Sequence, residues 1–382
     1  MYNRLISLRK NPSRSFFLWG PRQTGKSTLL RSLYPDAYTI DLLKSEVFAF
    51  YIQKPSRIRD LVTPSPLTVV DEVQKIPELL DEIQWCIENQ NRVFALCGSS
   101  ARKLRRNHAN LLGGRALRFE LQGLSAAELG NGFNLTRLLN RGYLPSHYDC
   151  AEEDWKLLML SYVGDYLREE IAAEGLVRSL PIFSDFLSMA ALSDAETVNF
   201  STMARDIGVS SHTAKEYFNL LSDTLLGWFL RPYRHRPKRK AEASAKFYFS
   251  DVAIVNFLAK RGTMEPGSEL FGKAFENWVG HELRCYNSYR EKFSDLSYWR
   301  SASGNDEVDF IVGDFQCAIE AKGVSRLRAE HFRGLEVLAK EHPEAGQRIL
   351  VTYEGPQMRR ADNVRVLNHQ DFVASLWSGQ LF

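Results

Sequence analysis

The chain has few cysteines, and their spacing fits neither a disulfide framework nor a zinc site. Its five cysteines include no Cys-x-x-Cys pair, and its eight histidines are scattered as well. Such spacings exclude a disulfide framework and a structural zinc site, and they favour free thiols in a reducing compartment. The cysteines are Cys86, Cys97, Cys150, Cys285 and Cys317.

Long apolar segments are also missing. The apolar runs, such as residues 16–19 and 349–351, fall far short of the roughly 20 residues that span a bilayer. The amino-terminal residues lack the apolar core of a signal peptide, so we expect a cytoplasmic protein without a membrane partner. With 44% hydrophobic and 25% charged residues and no internal repeat, the composition of the 382 residues predicts a folded chain of two or three domains.

Charge is distributed unevenly along the chain. The net charge is only +3, yet residues 226–262 hold nine Lys and Arg against two acids, Glu242 and Asp251. One segment therefore presents a cationic surface on a nearly neutral protein. Nucleic acid is the commonest partner for such an arrangement.

Changes in hydrophobic period divide the chain into four regions, at residues 1–130, 131–195, 196–262 and 263–382. The first alternates short β-rich runs with helical patterns, which predicts an α/β fold with a parallel sheet. The second has helical spacing and resembles a lid. The predicted strands of the first region are residues 15–19, 37–42, 67–70, 93–97 and 116–121.

The third region has the pattern of a helix-turn-helix. A helix through residues 203–207 is followed by Gly208-Val209-Ser210 and by a second helix that starts near Ser211 and runs past Leu225. Two strands, at residues 228–230 and 246–249, flank a basic segment and complete a winged helix. The fourth region predicts an α/β domain with helices near residues 275–283 and 329–340 and strands at residues 296–299, 307–312, 317–321 and 348–352.

Residues 20–27 read Gly-Pro-Arg-Gln-Thr-Gly-Lys-Ser, the pattern of a phosphate-binding P-loop, between a predicted strand and a helix. Lys26 is expected to reach the β- and γ-phosphates of ATP, and the Ser27 hydroxyl is expected to bind Mg²⁺. The predicted ATP contacts are Gly20, Pro21, Arg22, Gln23, Thr24, Gly25, Lys26, Ser27, Thr28 and Ser99.

Asp71 and Glu72 follow the apolar run 67–70. At the end of a buried strand beside a P-loop, Asp71 would bind the magnesium shell and Glu72 would act as general base on the attacking water. A cap for the next helix is the alternative for Glu72. Ser99 or Ser100, at the tip of the strand 93–97, would contact the γ-phosphate or the water, unless they form a simple β-turn.

Arg115 follows two glycines just before a predicted strand. A cation there could stabilise the transferring phosphoryl group of a neighbouring subunit, as an arginine finger does. The alternative is a surface salt bridge. These blocks, at Gly20, Asp71, Ser99 and Arg115, resemble prokaryotic AAA-type ATPases. The resemblance implies an ATPase core followed by a C-terminal domain of unknown function with a restriction-endonuclease-like fold.

The basic segment favours DNA. Two prolines, Pro232 and Pro237, would keep it extended for phosphate contacts, while the start of the second helix would face a groove. A solvated loop or a protein-interaction module is the alternative. The predicted DNA contacts are Ser211, His212, Lys215, Arg231, Arg234, Arg236, Lys238, Arg239 and Lys240.

Four residues of the last region resemble the site of PD-(D/E)XK nucleases: Glu276 on a helix, Asp309, and Glu320-x-Lys322. Residues two apart on a strand face the same side, so Glu320 and Lys322 would share one site. Glu276, Asp309 and Glu320 would bind Mg²⁺ or Mn²⁺, and Lys322 would orient or deprotonate the attacking water. A solvated hairpin face is the alternative, and the fold often persists after cleavage activity is lost.

Together, these patterns predict an ATP-hydrolysing, ring-forming motor on duplex or branched DNA, in recombination, repair or defence against mobile elements, with six subunits as the expected number. Its regions would be an ATPase core, a helical lid, a winged helix and a nuclease-like domain. One alternative is a remodeller or branch-migration motor without nuclease activity. Another is a nucleotide-controlled switch that binds a protein partner.

Overall fold

The computed structural model describes residues 2–63, 65–99, 112–167, 177, 179–233, 244–360 and 362–382, except for the side chains of residues 165–167. The chain forms two compact units. The first contains residues 3–123 and 220–226, and the second contains residues 124–219 and 227–382. None of the described helices is long and apolar enough to cross a membrane.

The described part of the first unit contains a parallel sheet of five strands in the order β2-β3-β4-β1-β5. Its central strands β1 and β3 are buried along their whole length, as expected for a sheet covered by helices on both faces. All five predicted strands are confirmed, with ends within one residue. The strands are β1 (Ser15–Trp19), β2 (Tyr38–Asp41), β3 (Leu67–Asp71), β4 (Val93–Gly98) and β5 (Ala116–Glu120).

Helices α1 (Lys26–Leu33), α2 (Ser45–Gln53) and α3 (Leu79–Gln90) follow β1, β2 and β3. The apolar faces of α2 and α3 pack with the sheet into one core, in which the rings of Phe17 and Trp19 stack at 5.1 Å between centroids. Short 3₁₀ helices occupy Pro55–Ile58 and Val73–Lys75. The alternation of strand and helix thus produces the α/β layers that the sequence predicts.

The second unit contains, within its described residues, a nine-stranded mixed sheet in the order β13-β14-β12-β11-β10-β9-β7-β8-β6. The strands are β6 (Glu196–Thr197), β7 (Gly227–Pro232), β8 (Lys246–Phe249), β9 (Leu296–Arg300), β10 (Glu307–Val312), β11 (Cys317–Lys322), β12 (Gln347–Thr352), β13 (Met358–Arg359) and β14 (Val364–Asn368). Strand β7 pairs in parallel with β9, through Arg231 with Ser297 and Pro232 with Tyr298. The sheet therefore runs across the boundary that the sequence placed at residues 262/263.

Helices of the second unit pack against this sheet. The longest, α12, covers 21 residues, where the sequence predicted a helix only near residues 275–283. The helices are α4 (Ala126–Leu129), α5 (Leu135–Arg141), α6 (Pro145–Asp149), α7 (Glu152–Ser161), α8 (Leu180–Leu192), α9 (Phe200–Asp206), α10 (Ser211–Asp223), α11 (Val252–Leu258), α12 (Glu269–Tyr289), α13 (Arg333–Glu341) and α14 (His369–Trp377). A π-helical turn, Tyr162–Leu167, continues α7.

The helix-turn-helix pattern corresponds to α9 and α10. Gly208 adopts a left-handed φ of 71° in the turn, and the Ser210 hydroxyl accepts the Thr213 N–H at 3.0 Å to cap α10. The prediction that the second helix runs past Leu225 is wrong: α10 ends at Asp223, because Leu225 has a φ of 62° that no right-handed helix can include.

Candidate functional site

The P-loop lies at the carboxyl end of β1 and leads into α1. Gln23 and Gly25 adopt left-handed φ values of 64° and 90°. A Cβ on Gly20 would lie 2.4 Å from the Leu121 carbonyl oxygen, so only glycine fits there. Within the loop, the Thr24 hydroxyl donates to the Pro21 carbonyl at 2.8 Å. These backbone turns let the loop curl around a small anionic group.

Lys26 points into this loop. Its Nζ donates to the carbonyl oxygens of Gly20 at 2.7 Å and Pro21 at 2.9 Å, and the side chain is buried. Ser27 and Thr28 lie next to it in the first turn of α1. The ammonium group is thus held where the loop and the helix N-terminus converge, which is where nucleotide phosphates bind in a P-loop.

The carboxyl ends of β3 and β4 meet at the same edge of the sheet. Asp71 pairs in register with Cys97, which in turn pairs with Leu18 of β1. The Asp71 carboxylate accepts the Cys97 thiol at 2.9 Å and the Glu72 backbone N–H at 3.1 Å. The sheet therefore brings Asp71, Glu72 and Ser99 to the edge that carries the P-loop, as the sequence predicts. Ser100 lies outside the described residues.

Gln74 connects two of these residues, and the sequence assigned no role to it. Its Nε2 donates to the Glu72 carboxylate and to the Ser99 hydroxyl, the latter at 3.1 Å. Glu72 itself has a left-handed φ of 58°. A Cβ on Gly98 would lie 2.2 Å from the Gln74 Oε1, so the glycine leaves room for this amide. Through this hydrogen bond, Gln74 holds the carboxylate of Glu72, the expected general base, in a fixed orientation.

The environment of Glu72 suits a proton acceptor. Burial raises the pKa of the Glu72 carboxyl, while Lys26 and the hydrogen bond from Gln74 limit that rise. A carboxylate with a moderately raised pKa accepts a proton more readily than an exposed one. The arrangement is therefore consistent with a general base beside the P-loop.

We expect Gln74→Ala to lower kcat for ATP hydrolysis by about 10- to 100-fold, part of the factor that a positioned general base contributes. ATP binding should change little, because Gln74 contacts Glu72 and Ser99 rather than the P-loop. Steady-state turnover and equilibrium ATP binding measure the two effects. Gln84→Ala on α3 is the matched control, and a kcat equal to that of this control would mean that Gln74 does not position Glu72.

Arg4 is a second residue whose role the sequence did not reveal. Its guanidinium donates to the Thr24 carbonyl at 2.7 Å, the Gln122 carbonyl at 2.6 Å and the Gly123 carbonyl at 3.2 Å. It therefore ties the P-loop to the segment that follows β5. Its position near the amino terminus, outside any motif, leaves no signal in the sequence.

Arg115 lies at the opposite edge of the sheet from the P-loop. It precedes Ala116, which pairs with Ser15 at the start of β1. At about 3.3 Å per residue, the length of β1 separates the two edges by about 16 Å. The Arg115 guanidinium forms an ion pair with Glu88 of α3, and its side chain is 42% exposed. Arg115 therefore does not reach the P-loop of its own chain.

The four residues predicted to form a nuclease site come together in the second unit, along with a lysine that the sequence did not place there. Lys246 of β8 has its Nζ 2.9 Å from Glu276, 2.6 Å from Glu307 and 3.7 Å from Asp309. The Lys322 ammonium pairs with Glu320 at 2.5 Å. We call these six residues the ion network: Lys246, Glu276, Glu307, Asp309, Glu320 and Lys322.

Further hydrogen bonds occupy the carboxylates of the ion network. The Tyr248 hydroxyl donates to Glu276 at 2.7 Å, and the Ala321 N–H donates to Asp309 at 2.9 Å. Within the described ranges, no three His, Cys, Asp or Glu side chains are placed to hold a metal ion together. The predicted Mg²⁺ or Mn²⁺ site at Glu276, Asp309 and Glu320 is therefore not supported, because two lysines are the cations that these carboxylates face.

Burial shifts the pKa values of residues in the ion network. It raises the pKa of Glu320 to about 8, with Asp309 adding to the rise, and within the described ranges one oxygen of Glu320 has no hydrogen-bond partner. Burial alone would lower the pKa of Lys246, but Glu276 and its neighbours hold it well above its ordinary value. Lys246 therefore stays charged and neutralises the buried acids.

Glu282 is separate from this cluster, as its helical position predicts. It is fully buried and accepts the Ala126 N–H at 2.6 Å and the Trp377 indole N–H at 3.0 Å. These bonds attach α12 to the start of α4 and to α14. Its role is structural.

Of the predicted DNA contacts, Ser211, His212 and Lys215 are exposed at the start of α10, and Arg231 is exposed near the end of β7. These positions leave them open to a partner. The other five fall outside the described residues: Arg234, Arg236, Lys238, Arg239 and Lys240.

Comparison with known proteins places three domain families along the chain. Residues 12–130 match the model of the AAA domain. Residues 132–265 match a domain of unknown function, DUF8612, and residues 271–372 match another, DUF4143. The first match agrees with the P-loop geometry and supports an ATPase of the AAA-like P-loop type.

Three related proteins are similar to this chain over most of its length. Uncharacterized proteins of Mycobacterium tuberculosis and Mycobacterium bovis are 27% identical over 303 residues, which cover 77% of this chain. The chain spans 66% of the length of these relatives, slightly under two thirds. An uncharacterized protein of Haemophilus influenzae is 26% identical over 77% of this chain and 78% of its own length.

Solved structures to which parts of this chain are similar include a Walker-type ATPase of Pyrococcus abyssi. It is 14% identical to this chain, with a TM-score of 0.37. The match covers 64% of this chain and 90% of the Pyrococcus protein. The RuvB Holliday junction branch migration motor of Thermotoga maritima is 13% identical, with a TM-score of 0.30, over 57% of this chain and 82% of its own.

Proposed function

We propose that this chain, in which residues 12–130 carry an AAA-type P-loop ATPase domain, couples ATP hydrolysis to movement on DNA and does not cut it. The observation that carries the proposal is the edge of the first sheet, where Lys26 lies in the P-loop and Gln74 joins Glu72 to Ser99. This edge combines a phosphate-binding loop with an oriented proton acceptor. Both are needed to hydrolyse ATP.

Each residue of this edge has a role in the reaction. Lys26 would neutralise charge on the β- and γ-phosphates, while Ser27 and Asp71 would hold Mg²⁺, which lowers the charge that the attacking water meets. Glu72 would take the proton of that water as its oxygen bonds to the γ-phosphorus. The bond from this phosphorus to the bridging oxygen breaks, and ADP and phosphate leave.

DNA is the proposed partner of the region between α8 and β8. The elements follow the order α8, β6, α9, α10, β7, β8, and β8 pairs with both β6 and β7. This order supports a winged helix in which α10 presents Ser211, His212 and Lys215 to a groove. The basic residues between β7 and β8 would add phosphate contacts.

The C-terminal domain is proposed to be nuclease-like in fold but structural in function. The helix α12, the antiparallel strands β9, β10 and β11, the helix α13 and the parallel strand β12 follow one another as the nuclease resemblance implies. Lys246 nevertheless lies among the acids that a metal would need. This arrangement favours the alternative of a motor without nuclease activity.

A ring is the proposed assembly, with Arg115 acting on the nucleotide of a neighbouring subunit. Arg115 is half-exposed at the edge of the sheet away from its own P-loop, a position that leaves it accessible to another subunit. Its ion pair with Glu88 would then exchange for one with the γ-phosphate.

The test of the proposed function is DNA binding and its salt dependence. We expect up to six phosphate contacts from the cations at positions 231–240, and hence a slope of log K against log salt of roughly −5 on duplex. Reversing the charges of Arg234, Arg236 and Lys238 should flatten that slope. The matched control reverses Lys75, Lys292 and Lys340, which lie outside this region.

Two outcomes contradict the proposal in different ways. A slope that the triple reversal leaves unchanged would move the DNA site elsewhere. ATP turnover that duplex and branched DNA leave unaltered, together with no measurable DNA affinity, would instead favour the nucleotide-controlled protein switch. Cleavage of either substrate with Mg²⁺ or Mn²⁺ would show that the C-terminal domain is an active nuclease.

A further inference from the structure

A cleft of about 960 Å³ in the second unit is separate from every residue discussed so far as a site. Its walls are α5, the start of α7, and the end of α11 with the residues that follow it. All of these elements lie within residues 132–265, the segment that matches DUF8612. The cleft is large enough for a nucleotide-sized ligand, because small-molecule sites occupy roughly 300–1,000 Å³.

The cleft carries an excess of positive charge. Against two acids, Glu152 and Glu153, its lining contains five basic side chains: Arg137, Arg141, Lys156, Lys260 and Arg261. A net positive cleft concentrates anions. Its preferred ligand is therefore negatively charged.

Two of these basic side chains form hydrogen bonds or ion pairs within the protein, and two others can bind a ligand. Arg137 donates to the carbonyl oxygens of Tyr148 at 2.9 Å and Cys150 at 3.3 Å. Arg141 pairs with Glu152 at 3.3 Å. In the part of the chain that the structure describes, neither Lys156 nor Lys260 forms an ion pair, and both are exposed at the cleft.

The floor of the cleft has unmet hydrogen-bonding capacity. Asn256 is only 3% exposed and donates through Nδ2 to the Leu139 carbonyl at 2.8 Å, but its Oδ1 has no partner in the part of the chain that the structure describes. Arg261 contributes two more buried atoms, Nε and Nη1, that lack partners among the described residues. Buried polar groups without partners cost free energy, so they indicate a ligand or an ordered solvent molecule that completes their bonds.

An aromatic ring lies beside the cations. Trp155 is half-buried, its indole N–H donates to the Arg141 carbonyl at 3.2 Å, and the Arg141 guanidinium lies 5.9 Å from the ring centroid. Its position is thus fixed by the same helix that supplies Arg137 and Arg141. A half-exposed indole offers a face on which a planar base can stack.

We propose that this cleft is a second nucleotide site, which binds phosphate through Arg261, Lys156 and Lys260 and stacks a base on Trp155. The ligand is a free nucleotide or one unit of a single-stranded nucleic acid, since both present a phosphate next to a planar base. The site adds to the proposed ATPase function and does not depend on it, because none of its residues belongs to the P-loop unit.

The test uses the full chain with Lys26→Ala, which removes nucleotide binding at the P-loop. A fluorescent ADP analogue probes a free nucleotide, and a short labelled oligothymidine probes a strand. In this background, Lys156→Gln/Lys260→Gln should weaken binding of one probe by about 10-fold, because two charge-assisted contacts are lost. If the ligand is the strand, the salt slope should also fall by about 1.4, since each contact contributes about 0.7 on single strands.

The matched control is Arg326→Gln/Lys340→Gln, which removes the same charge from exposed positions of the second unit that do not line the cleft. Trp155→Phe should keep partial affinity, and Arg261→Gln should lose as much as the double lysine variant if it folds. Loss in the ADP arm alone identifies a free nucleotide, and loss in the oligothymidine arm alone identifies a strand. If neither probe binds, or if the cleft variants and the control bind both probes equally well, the proposal is wrong.

Discussion

Lys26→Ala is expected to reduce ATP turnover to background. The Lys26 ammonium is buried in the P-loop between the carbonyl oxygens of Gly20 and Pro21. Its removal leaves the phosphates without the cation that the loop is built to supply. Lys75→Ala, at an exposed lysine beyond β3, is the control and should keep turnover within about 2-fold, because it removes only a surface charge.

Glu72→Gln should separate binding from chemistry at the same site. The amide keeps the shape of the side chain but cannot accept the proton of the attacking water, so kcat should fall by about 10²- to 10⁴-fold while ATP still binds. Glu78→Gln, at an exposed glutamate further along the chain, should match the wild type. Full activity of Glu72→Gln would assign the base to another residue.

Lys246→Met is expected to destabilise the second unit by about 3–5 kcal/mol, the usual cost of leaving a buried charge without its partner. Lys246 is 4% exposed and faces Glu276, Glu307 and Asp309, whose carboxylates would then repel one another. At about 2–4 °C per kcal/mol for a unit of this size, Tm should drop by roughly 10 °C.

The control for this variant is Lys273→Met in α12. Lys273 pairs with Glu196 at 2.7 Å, but these side chains are 29% and 52% exposed, so the loss should stay within about 1 kcal/mol. Adding Glu276→Gln to Lys246→Met should restore part of the stability, because one of the unpaired charges is removed. Equal Tm values for Lys246→Met and Lys273→Met would show that Lys246 does not neutralise the acids.

The Lys246→Met variant also tests whether the carboxylates of the ion network can bind a metal ion once the lysine is removed. Removing Lys246 leaves Glu276, Glu307 and Asp309 without the ammonium that they face, and carboxylates are the ligands that Mg²⁺ and Mn²⁺ prefer. We therefore expect either metal to raise the Tm of Lys246→Met more than that of the wild type. This difference would mean that the Lys246 ammonium occupies a position at which these carboxylates can bind a metal ion.

The sequence alone determined the features that depend on local pattern. The P-loop, the five strands of the first unit, and the caps and turn between α9 and α10 all follow from short-range spacing. Strand alternation also predicted that Asp71 and Ser99 would lie at the edge that carries Lys26, because parallel strands align their carboxyl ends. The order of elements around Glu276, Asp309 and Glu320 was predictable from the hydrophobic period along the chain.

The tertiary structure decided which distant side chains meet. Lys246 is 30 residues from Glu276 and joins it only because β7 pairs with β9, which merges the strands on either side of the basic segment with the C-terminal sheet. Arg261 and Asn256 reach the same cleft as Trp155 only because α11 packs against α5 and α7. Local spacing carries no information about such pairings, because they arise from the burial of apolar surface between elements that are remote in sequence.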